Sequence, residues 1–589
     1  MRVSAQLDPA RRKRSNLVSM LLDRFWLPAL IFLLVTAFAL TDLWHRPSYD
    51  ELYHVLAARG WLEYGEPRIA DGVYPRAQLF TMLIAWCFRF FGESLVVARL
   101  PVLLAAGLLT VAVFLWTRSV AGTLAAVVAA LLFGLSPLNL EMSQFIRFYT
   151  VQALAFWLGA IGLFALVTQQ RGGGVRVLLA GGAIVALAVA AHLQLLTYLG
   201  LAGLALWAAL TLGVPVLARH SRRTQLWVSI GVLGLMSLAA LAIVLEQQLG
   251  AKLLQRYLSV PLHAAEDQSN FIFYHLYLLQ GYATIWAIFP LILLIAMVHH
   301  VRAAWFCVVV FGVSLALLSG AGMKGARYMY FVMPFFFVIV GIALAASATT
   351  LRRAIIETTD RLLQPWVAPG SMGVARTALV AVGLLFIVGS NGAIVKTALI
   401  PLGVRLHGGQ NGPAMTELET RADWAAAKPI LQPLIDEASI VLTSRDLQSL
   451  YYFGRYDILI SESHLSELGH AEFSVDDRTG RLVIGAPESL NLIFDCYRDG
   501  IVVADTGGWR VPTVIDEPAA DVIEARTVPI VLAANPDILA FRWDHRESLP
   551  RTGAECSSLP TAVSPEGLHS RTELGQPAGV GEVDSTTGP

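Results

Sequence analysis

Two adjacent carboxylates and a histidine lie in the polar stretch that follows the first long apolar run of this sequence. Asp50, Glu51 and His54 lie in the segment SYDELYH, directly after an apolar run. Carboxylates can accept a proton from a reacting hydroxyl or help to hold a metal ion. In a helix, Asp50 and His54 share a face, whereas Asp50 and Glu51 diverge by about 100° and cannot face one reaction centre in the same way. The structural alternative is a helix N-terminus capped by Ser48 or Asp50.

Two later segments combine cations with aromatic residues. Ser143–Tyr149 ends in Arg147-Phe148-Tyr149, and Lys324–Tyr328 contains two cations. Arginine offers a planar, permanently charged fork that matches a phosphate group. A single cation in such a position is explained equally well by contact with lipid headgroups.

Membrane spans must position these residues, because the chain is too apolar for a soluble protein. It has 589 residues, of which 56% are hydrophobic and 15% charged, against roughly 25% charged residues in soluble domains. From about Leu27 to Leu399, apolar runs long enough to cross a bilayer recur. They predict about eleven spans, centred near residues 35, 107, 130, 159, 184, 205, 236, 289, 311, 340 and 387. The first run is better explained as an uncleaved span than as a signal peptide.

The distribution of arginine predicts the orientation. The N-terminus contains the basic cluster Arg11–Arg14, and every loop predicted on the same side contains arginine. The positive-inside rule therefore places the N-terminus in the cytoplasm. An odd number of spans puts the C-terminal domain, the Asp50 loop and the Arg147 and Arg327 segments on the extracytoplasmic face of the inner (plasma) membrane. No predicted span carries a charge near its centre, where each would cost roughly 2.5 to 3.5 kcal/mol.

Composition divides the chain into four predicted regions. These are a cytoplasmic tail (1–26), a transmembrane domain (27–399) with its first outer loop at 44–99, a soluble domain (400–549) and a disordered tail (550–589). Alternating short apolar strands and helices predict that the soluble domain is α/β with a partly parallel sheet. The sequence leaves open whether Cys496 and Cys556 form a disulfide.

The order of these motifs resembles the GT-C fold glycosyltransferases that use polyprenyl-phosphate-linked sugars. That group includes protein O-mannosyltransferases and the transferases that add aminoarabinose or galacturonic acid to lipid A. The resemblance covers roughly residues 25 to 345 and rests on Asp50-Glu51, Phe91-Gly92, Ala98-Arg99-Leu100-Pro101, Ser143–Tyr149, and Lys324–Tyr328 followed by Pro334. The sequence departs from the family at Pro75-Arg76, where Arg76 would have to replace a lysine.

The resemblance implies an enzyme that moves a sugar from a polyprenyl phosphate to an acceptor hydroxyl on a lipid, glycan or protein, with inversion at the anomeric carbon. Cations would stabilise charge on the departing phosphate, and Asp50 would be the general base. Glu51 would orient the acceptor or a neighbouring cation. The implied phosphate-binding residues are Arg76, Arg147, Lys324, Arg327 and Tyr328, and the implied acceptor or orienting residues are His54, Tyr149 and His192.

The sequence says less about cofactors and about further contacts with the acceptor or the polyprenyl chain. No metal is predicted to be required, because His54 and His192 are the only plausible extra ligands and no metal-binding spacing is present; a shared divalent metal stays an alternative. Weaker candidates for holding the acceptor or the polyprenyl chain are Lys252, Arg256, Tyr257, His263, Glu266 and Asp267.

Two other classes of function compete with the transferase. A transporter or flippase of lipid-linked sugars would show polar or broken helices near the midplane and often inverted repeats. A membrane scaffold that presents the α/β domain would not need the Asp-Glu and Arg-Tyr motifs. The charge-free spans and the collection of ionisable residues at one face favour the enzyme, and a formal net charge of +0 gives no support for nucleic-acid binding.

Overall fold

The chain forms two compact units, seen in a computed structural model that describes residues 25–169, 172–218, 270–350, 389–400, 422–468, 472–533 and 535–544, with scattered positions between 357 and 386. The membrane unit comprises Met1–Arg46 and Arg76–Ala414, and the sheet unit comprises Pro47–Pro75 and Met415–Pro589. The segment 47–75, predicted as part of the first outer loop, is thus grouped with the C-terminal residues.

The helices follow in chain order. They are α1 (Leu27–Ala39), α2 (Tyr49–Tyr64), α3 (Gln78–Phe91), α4 (Leu95–Ala121), α5 (Thr123–Gly134), α6 (Pro137–Gln144), α7 (Tyr149–Thr168), α8 (Gly173–Leu193), α9 (Thr197–Ala218), α10 (Phe273–Gly281), α11 (Ala283–Ala287), α12 (Phe289–Gly320), α13 (Ala326–Met329), α14 (Met333–Thr350), α15 (Gly392–Leu399), α16 (Trp424–Glu437), α17 (Asp446–Phe453), α18 (Glu462–Glu467), α19 (Pro487–Cys496) and α20 (Glu517–Arg526).

Long apolar helices dominate the membrane unit. Within the described residues, six helical runs are long and apolar enough to cross a membrane: α4, α7, α8, α9, α12 and Ala326–Ala348. The pair α5 and α6, bent by 56°, would make a seventh. The apolar helices α1 and α3 are shorter, with 13 and 14 residues. The predicted helical membrane protein with many spans is confirmed.

Individual spans differ from the prediction. The span predicted near residue 236 lies outside the described residues, and the one near 387 is described only at scattered positions. The spans predicted near 289 and 311 form the two parts of α12, which meet at a kink at His300, whose φ and ψ are −138° and 58°. The break predicted around Arg302 is thus present two residues earlier, as a kink between two helical segments rather than as a longer loop.

Close helix contacts depend on small residues. Gly341 of α14 lies so near α5 that a Cβ atom would stand 2.6 Å from the Ala125 carbonyl oxygen. Such contacts let backbones approach and gain dispersion energy where the hydrophobic effect between helices is weak. These close contacts fix the relative positions of the helices at whose ends the candidate site residues lie.

The sheet unit has a seven-stranded mixed sheet, in the order β5-β6-β4-β3-β7-β9-β8. A separate two-stranded hairpin, β1–β2, lies in the 47–75 segment. The strands are β1 (Arg68–Ile69), β2 (Gly72–Val73), β3 (Val441–Thr443), β4 (Ile458–Ile460), β5 (Ser474–Val475), β6 (Leu482–Ile484), β7 (Asp499–Asp505), β8 (Val528–Ile530) and β9 (Ile538–Asp544). Strands β6, β4, β3 and β7 are parallel, and the others pair antiparallel. The predicted α/β character with a partly parallel sheet is confirmed.

Helices cover both faces of this sheet. Apolar residues of α2, α16 and α17 form one core with it, and those of α19 and α20 form the other. The parallel strands read as continuous apolar runs because both of their faces are buried. On α19, Cys496 is disulfide-bonded; Cys556 lies outside the described residues.

Candidate functional site

An aromatic ring lies between two arginines where α7 begins. The Phe148 ring is buried, and its centroid lies 5.3 Å from the Arg76 guanidinium carbon and 5.4 Å from that of Arg147. Arg147 is only 3% exposed, whereas Arg76 is exposed. The cations thus extend from the surface of the membrane unit into its interior.

A third arginine completes this cationic cluster around Tyr149. The Arg327 guanidinium lies 6.0 Å from the Tyr149 ring centroid and 5.3 Å from that of Tyr328. Arg76, Arg147 and Arg327 all act electrostatically on the Tyr149 hydroxyl. That hydroxyl is buried and has no hydrogen-bond partner in the part of the chain that the structure describes. A buried hydroxyl among three guanidinium groups suits an anion that accepts several hydrogen bonds.

The bend between α5 and α6 helps to position this cluster. Ser136 caps α6 by accepting a hydrogen bond from the Asn139 backbone N–H at 3.2 Å, with Pro137 at the first helical position, an arrangement that favours a helix start. The Asn139 side chain donates to the Gly134 carbonyl at 2.8 Å and accepts from the Tyr330 hydroxyl at 2.7 Å. This polar contact joins the segment before Arg147 to the one that follows Arg327.

Lys324 lies in the turn before α13. Its Nζ donates a hydrogen bond of 2.6 Å to the Ala321 carbonyl, and the side chain is buried. Burial lowers the pKa of Lys324. The described contact is therefore local, to the turn that presents Arg327 and Tyr328.

A hydrocarbon-lined cavity adjoins the cluster in sequence and in structure. Its volume is about 210 Å³ and its lining residues are Leu79, Phe80, Met82, Leu83, Trp86, Val151, Val189 and Leu193. Leu79 follows Arg76 by three positions at the start of α3, and Val151 follows Tyr149 by two on α7. His192 is exposed beside the lining residue Leu193. The starts of α3 and α7 thus lie close to both the cationic cluster and this apolar cavity.

Arg99 holds the segment that leaves α1. This fully buried side chain donates hydrogen bonds to the carbonyl oxygens of Leu43 at 2.5 Å and His45 at 3.0 Å, and contacts His45 Nε2 at 2.9 Å. The sequence offered Arg99 only as a motif match. These contacts give Arg99 a structural role, because they fix the chain just before residue 47.

The predicted acidic pair lies on α2, in the sheet unit. The Glu51 carboxylate accepts a hydrogen bond of 2.7 Å from the Ser48 backbone N–H and is 1% exposed. Ser48 is the N-cap residue of α2, which agrees with the structural alternative that the sequence left open, and the Glu51 carboxylate hydrogen-bonds its backbone N–H. Asp50 is half-buried in the same turn, and His54 is buried one turn later with its ring 5.3 Å from that of Tyr74.

The structure therefore brings together part of the predicted set. Arg76, Arg147, Tyr149, Arg327 and Tyr328 form one cluster in the membrane unit, where Lys324 and His192 also lie. Asp50, Glu51 and His54 belong to the sheet unit. The weaker candidates between Lys252 and Asp267 lie outside the described residues.

Sequence reasoning missed two features. Phe148 received no role, because the contact of its ring with Arg76 is a tertiary contact that the Arg-Phe-Tyr order does not indicate. The tyrosines on either side of the acidic pair, Tyr49 and Tyr53, were also passed over. Among the described residues, no group of three or more His, Cys, Asp or Glu side chains could hold a metal ion.

Solved structures share this architecture. No protein-family model and no curated protein matches the sequence. ArnT from Cupriavidus metallidurans bound to undecaprenyl phosphate superposes with a TM-score of 0.56 at 16% identity, covering 88% of this chain and 97% of that chain. The apo form of ArnT gives 0.54 at 16% identity, over 89% and 98%. The apo Archaeoglobus fulgidus oligosaccharyltransferase gives 0.53 at 13% identity, over 86% and 73%. These likenesses show a common fold.

Proposed function

We propose that this chain, which has the GT-C fold, is a membrane glycosyltransferase that moves a sugar from a polyprenyl phosphate to an acceptor hydroxyl on the extracytoplasmic face. The observation that carries the proposal is the buried Tyr149 hydroxyl among three arginines, beside a hydrocarbon-lined cavity. A phosphate joined to an isoprenoid chain has the two chemical parts that such a site would recognise. ArnT, with the same fold, is bound to undecaprenyl phosphate in one structure.

The cationic cluster would bind the donor phosphate. Arg147 and Arg327 offer charge-assisted hydrogen bonds, and Tyr149 can donate a further one. Arg76, being exposed, would meet the donor first. Because charge grows on the phosphate as the sugar leaves, these groups stabilise the transition state more than the ground state. Lys324 and Tyr328 would support Arg327 in the same turn.

Transfer would proceed by direct displacement. The acceptor oxygen attacks the anomeric carbon, the bond from that carbon to the phosphate oxygen breaks, and the polyprenyl phosphate departs with the electron pair. Asp50 takes the proton of the acceptor hydroxyl, a step worth typically 10² to 10⁴-fold. Attack opposite the leaving group inverts the anomeric centre. His54 and His192 remain candidates for orienting the acceptor.

The orientation is part of the proposal. Arginine in the N-terminal tail favours a cytoplasmic N-terminus, and the disulfide at Cys496 is typical of proteins outside the reducing cytosol. The sheet unit would then lie outside the cytoplasm of the plasma membrane. We propose that no metal is required, so that chelation with EDTA leaves transfer unchanged.

The direct test uses the full-length purified protein. Radiolabelled lipid-linked sugars extracted from cells that lack the protein serve as donor, and membranes from the same cells as acceptor. The wild type is expected to transfer label, whereas Asp50→Asn abolishes transfer but still binds undecaprenyl phosphate. Full transfer by Asp50→Asn would refute the general-base assignment. Movement of labelled lipid across the bilayer without covalent transfer would favour the flippase instead.

A further inference from the structure

Two tyrosines on α2 connect the helix of the acidic pair to the sheet. Tyr49 donates a hydrogen bond of 2.8 Å to Asp446 Oδ1 and lies 3.1 Å, oxygen to oxygen, from the Tyr53 hydroxyl. The Tyr53 hydroxyl accepts a hydrogen bond from Arg478. Because Tyr49 and Tyr53 are four residues apart, both lie on one face of the helix. The C-terminal residues Asp446 and Arg478 thus contact this face of α2 at two points.

Ionic contacts fix the arginine that holds Tyr53. Arg478 Nε lies 2.9 Å from Asp476 Oδ1, and His464 contacts both side chains. Burial by itself would raise the pKa of Asp476, but the His464 hydrogen bond and the Arg478 charge outweigh it and hold that pKa well below its usual range. Asp476 is therefore ionised at neutral pH, and Arg478 has a permanent partner that keeps its guanidinium in place.

The hairpin that follows α2 is held by the same turn of the sheet unit. Asp71 pairs with Arg481 at 2.9 Å, and its backbone N–H donates to the Thr479 carbonyl at 2.9 Å. Gly72 lies so close that a Cβ atom would stand 2.6 Å from the Arg478 carbonyl carbon. Residues 476–481 thus bind the 47–75 segment at α2 and at β1–β2.

Asp446 lies just beyond the carboxyl end of the parallel strand β3. It is the first residue of α17, directly after β3, and the parallel strands run in the order β6-β4-β3-β7. In this topology the connections diverge between β3 and β7, and doubly wound proteins bind ligands beyond the carboxyl ends of the strands at such a point. Here the Tyr49 hydroxyl meets Asp446. The edge that other α/β domains use for ligands holds a helix of the same chain.

We propose that Tyr49 and Tyr53 are positioning residues, through which Asp446 and Arg478 of the C-terminal domain set the orientation of α2 and hence of Asp50. The proposal rests on the proposed function, since it assigns Asp50 to the reaction. Tyr49 directly precedes Asp50, so a rotation of the first turn displaces the carboxylate. An error of about 1 Å in a reacting group can cost on the order of 10²-fold in rate.

The test compares the double variant Tyr49→Phe/Tyr53→Phe with the wild type in the full-length protein. Asp499→Asn is the matched control, because Asp499 is a buried carboxylate that accepts hydrogen bonds from Ser439 in the same sheet unit. Three quantities are measured: kcat and KM for the lipid-linked sugars extracted from cells that lack the protein, affinity for undecaprenyl phosphate, and amide hydrogen exchange of residues 49–64.

We expect the double variant Tyr49→Phe/Tyr53→Phe to lose about 10- to 100-fold in kcat, with KM for the lipid-linked sugars and undecaprenyl phosphate affinity unchanged and with faster exchange in α2 alone. Asp499→Asn should leave α2 exchange and kcat as in the wild type. Normal kcat in the double variant, or a loss of kcat without a change in α2 exchange, would overturn the proposal. If the wild type transfers no sugar, the proposed function fails, and exchange in α2 still decides whether these residues hold the helix.

Discussion

The hydroxyl of Tyr330 donates a hydrogen bond of 2.7 Å to Asn139 Oδ1, and both residues are buried. This contact joins two chain segments that are 191 residues apart. Since one leads to Arg147 and the other follows Arg327, the geometry of the cationic cluster depends on a hydrogen bond outside it.

Tyr330→Phe should weaken the cluster. The change leaves Asn139 Oδ1 buried without this donor, at a cost of about 1 to 3 kcal/mol, which is expressed as a lower thermal unfolding temperature and a several-fold weaker affinity for undecaprenyl phosphate. Thr168→Val, which removes a hydroxyl bonded to Phe164 at the other end of α7, is the control and should lower stability without changing that affinity. An unchanged affinity in Tyr330→Phe would contradict the coupling.

Arg147→Gln should reduce undecaprenyl phosphate affinity at least tenfold, about 1.4 kcal/mol, because it removes a buried charge and a planar donor. Arg147→Lys should recover only part of it, since an ammonium lacks the fork. Arg118→Gln supplies a matched control: its guanidinium lies 5.7 Å from the Phe114 ring, away from the cluster. Equal losses in Arg147→Gln and Arg118→Gln, measured by ligand-induced thermal shift, would refute a specific phosphate site.

Glu51→Gln and Glu51→Ala should behave differently. The glutamine amide oxygen can still accept from the Ser48 N–H, so the cap survives and transfer stays near the wild-type rate. Alanine removes this charge-assisted hydrogen bond, at a cost of roughly 1.5 to 3 kcal/mol, and should lower both stability and transfer. If both variants lose transfer equally, the carboxylate charge itself acts in the reaction, as the resemblance implied.

Acid should lower the free energy of unfolding of the sheet unit, because Asp476 becomes protonated. Its pKa is lower in the folded than in the unfolded chain, so its contribution is present above the unfolded value of about 4 and is lost as the pH falls through the folded value. Thermal unfolding of the wild type between pH 6 and pH 3 should show this decline. Asp476→Asn should be less stable at pH 6 and less sensitive to acid; an identical slope would contradict the assignment.

Cys496 should react with a maleimide only after reduction. The structure has a disulfide at Cys496 and free thiols at Cys87 and Cys307. In denaturant, alkylation with a polyethylene-glycol maleimide should therefore modify Cys87 and Cys307 without reductant and all 4 cysteines with it. Modification of Cys496 in the unreduced chain, detected by mass spectrometry, would show that the bond is absent.

Short-range patterns in the sequence predicted many of the helices and strands of this protein. Hydrophobic runs predicted most of the described long helices, and Ser48 followed by the acidic residues Asp50 and Glu51 indicated a helix start in the first polar loop. The strand and helix order of the α/β domain was also readable, because buried parallel strands are short and uniformly apolar. Each of these sequence patterns lies within a few residues of the helix or strand that it predicts.

Long-range contacts could not be predicted in the same way. Nothing near Tyr49 in the sequence indicates that its partner is Asp446, 397 residues later. Likewise, Arg147 precedes Tyr149 by two residues in the sequence, but only tertiary packing brings Arg327 to the Tyr149 ring. His300 shows the opposite case, since the polar residues His299, His300 and Arg302 indicated a break between two spans, and the helix kinks at His300.

The separation of Tyr49 from Asp446 also sets an order of events during biosynthesis. A ribosome adds roughly 5 to 20 residues per second, so α2 is made roughly 20 to 80 s before the strand that leads to Asp446. During that interval the acidic helix has none of its sheet partners. An inserted but incomplete chain would therefore carry the proposed base without its support, and sugar transfer would begin only after the last domain has been translated and folded.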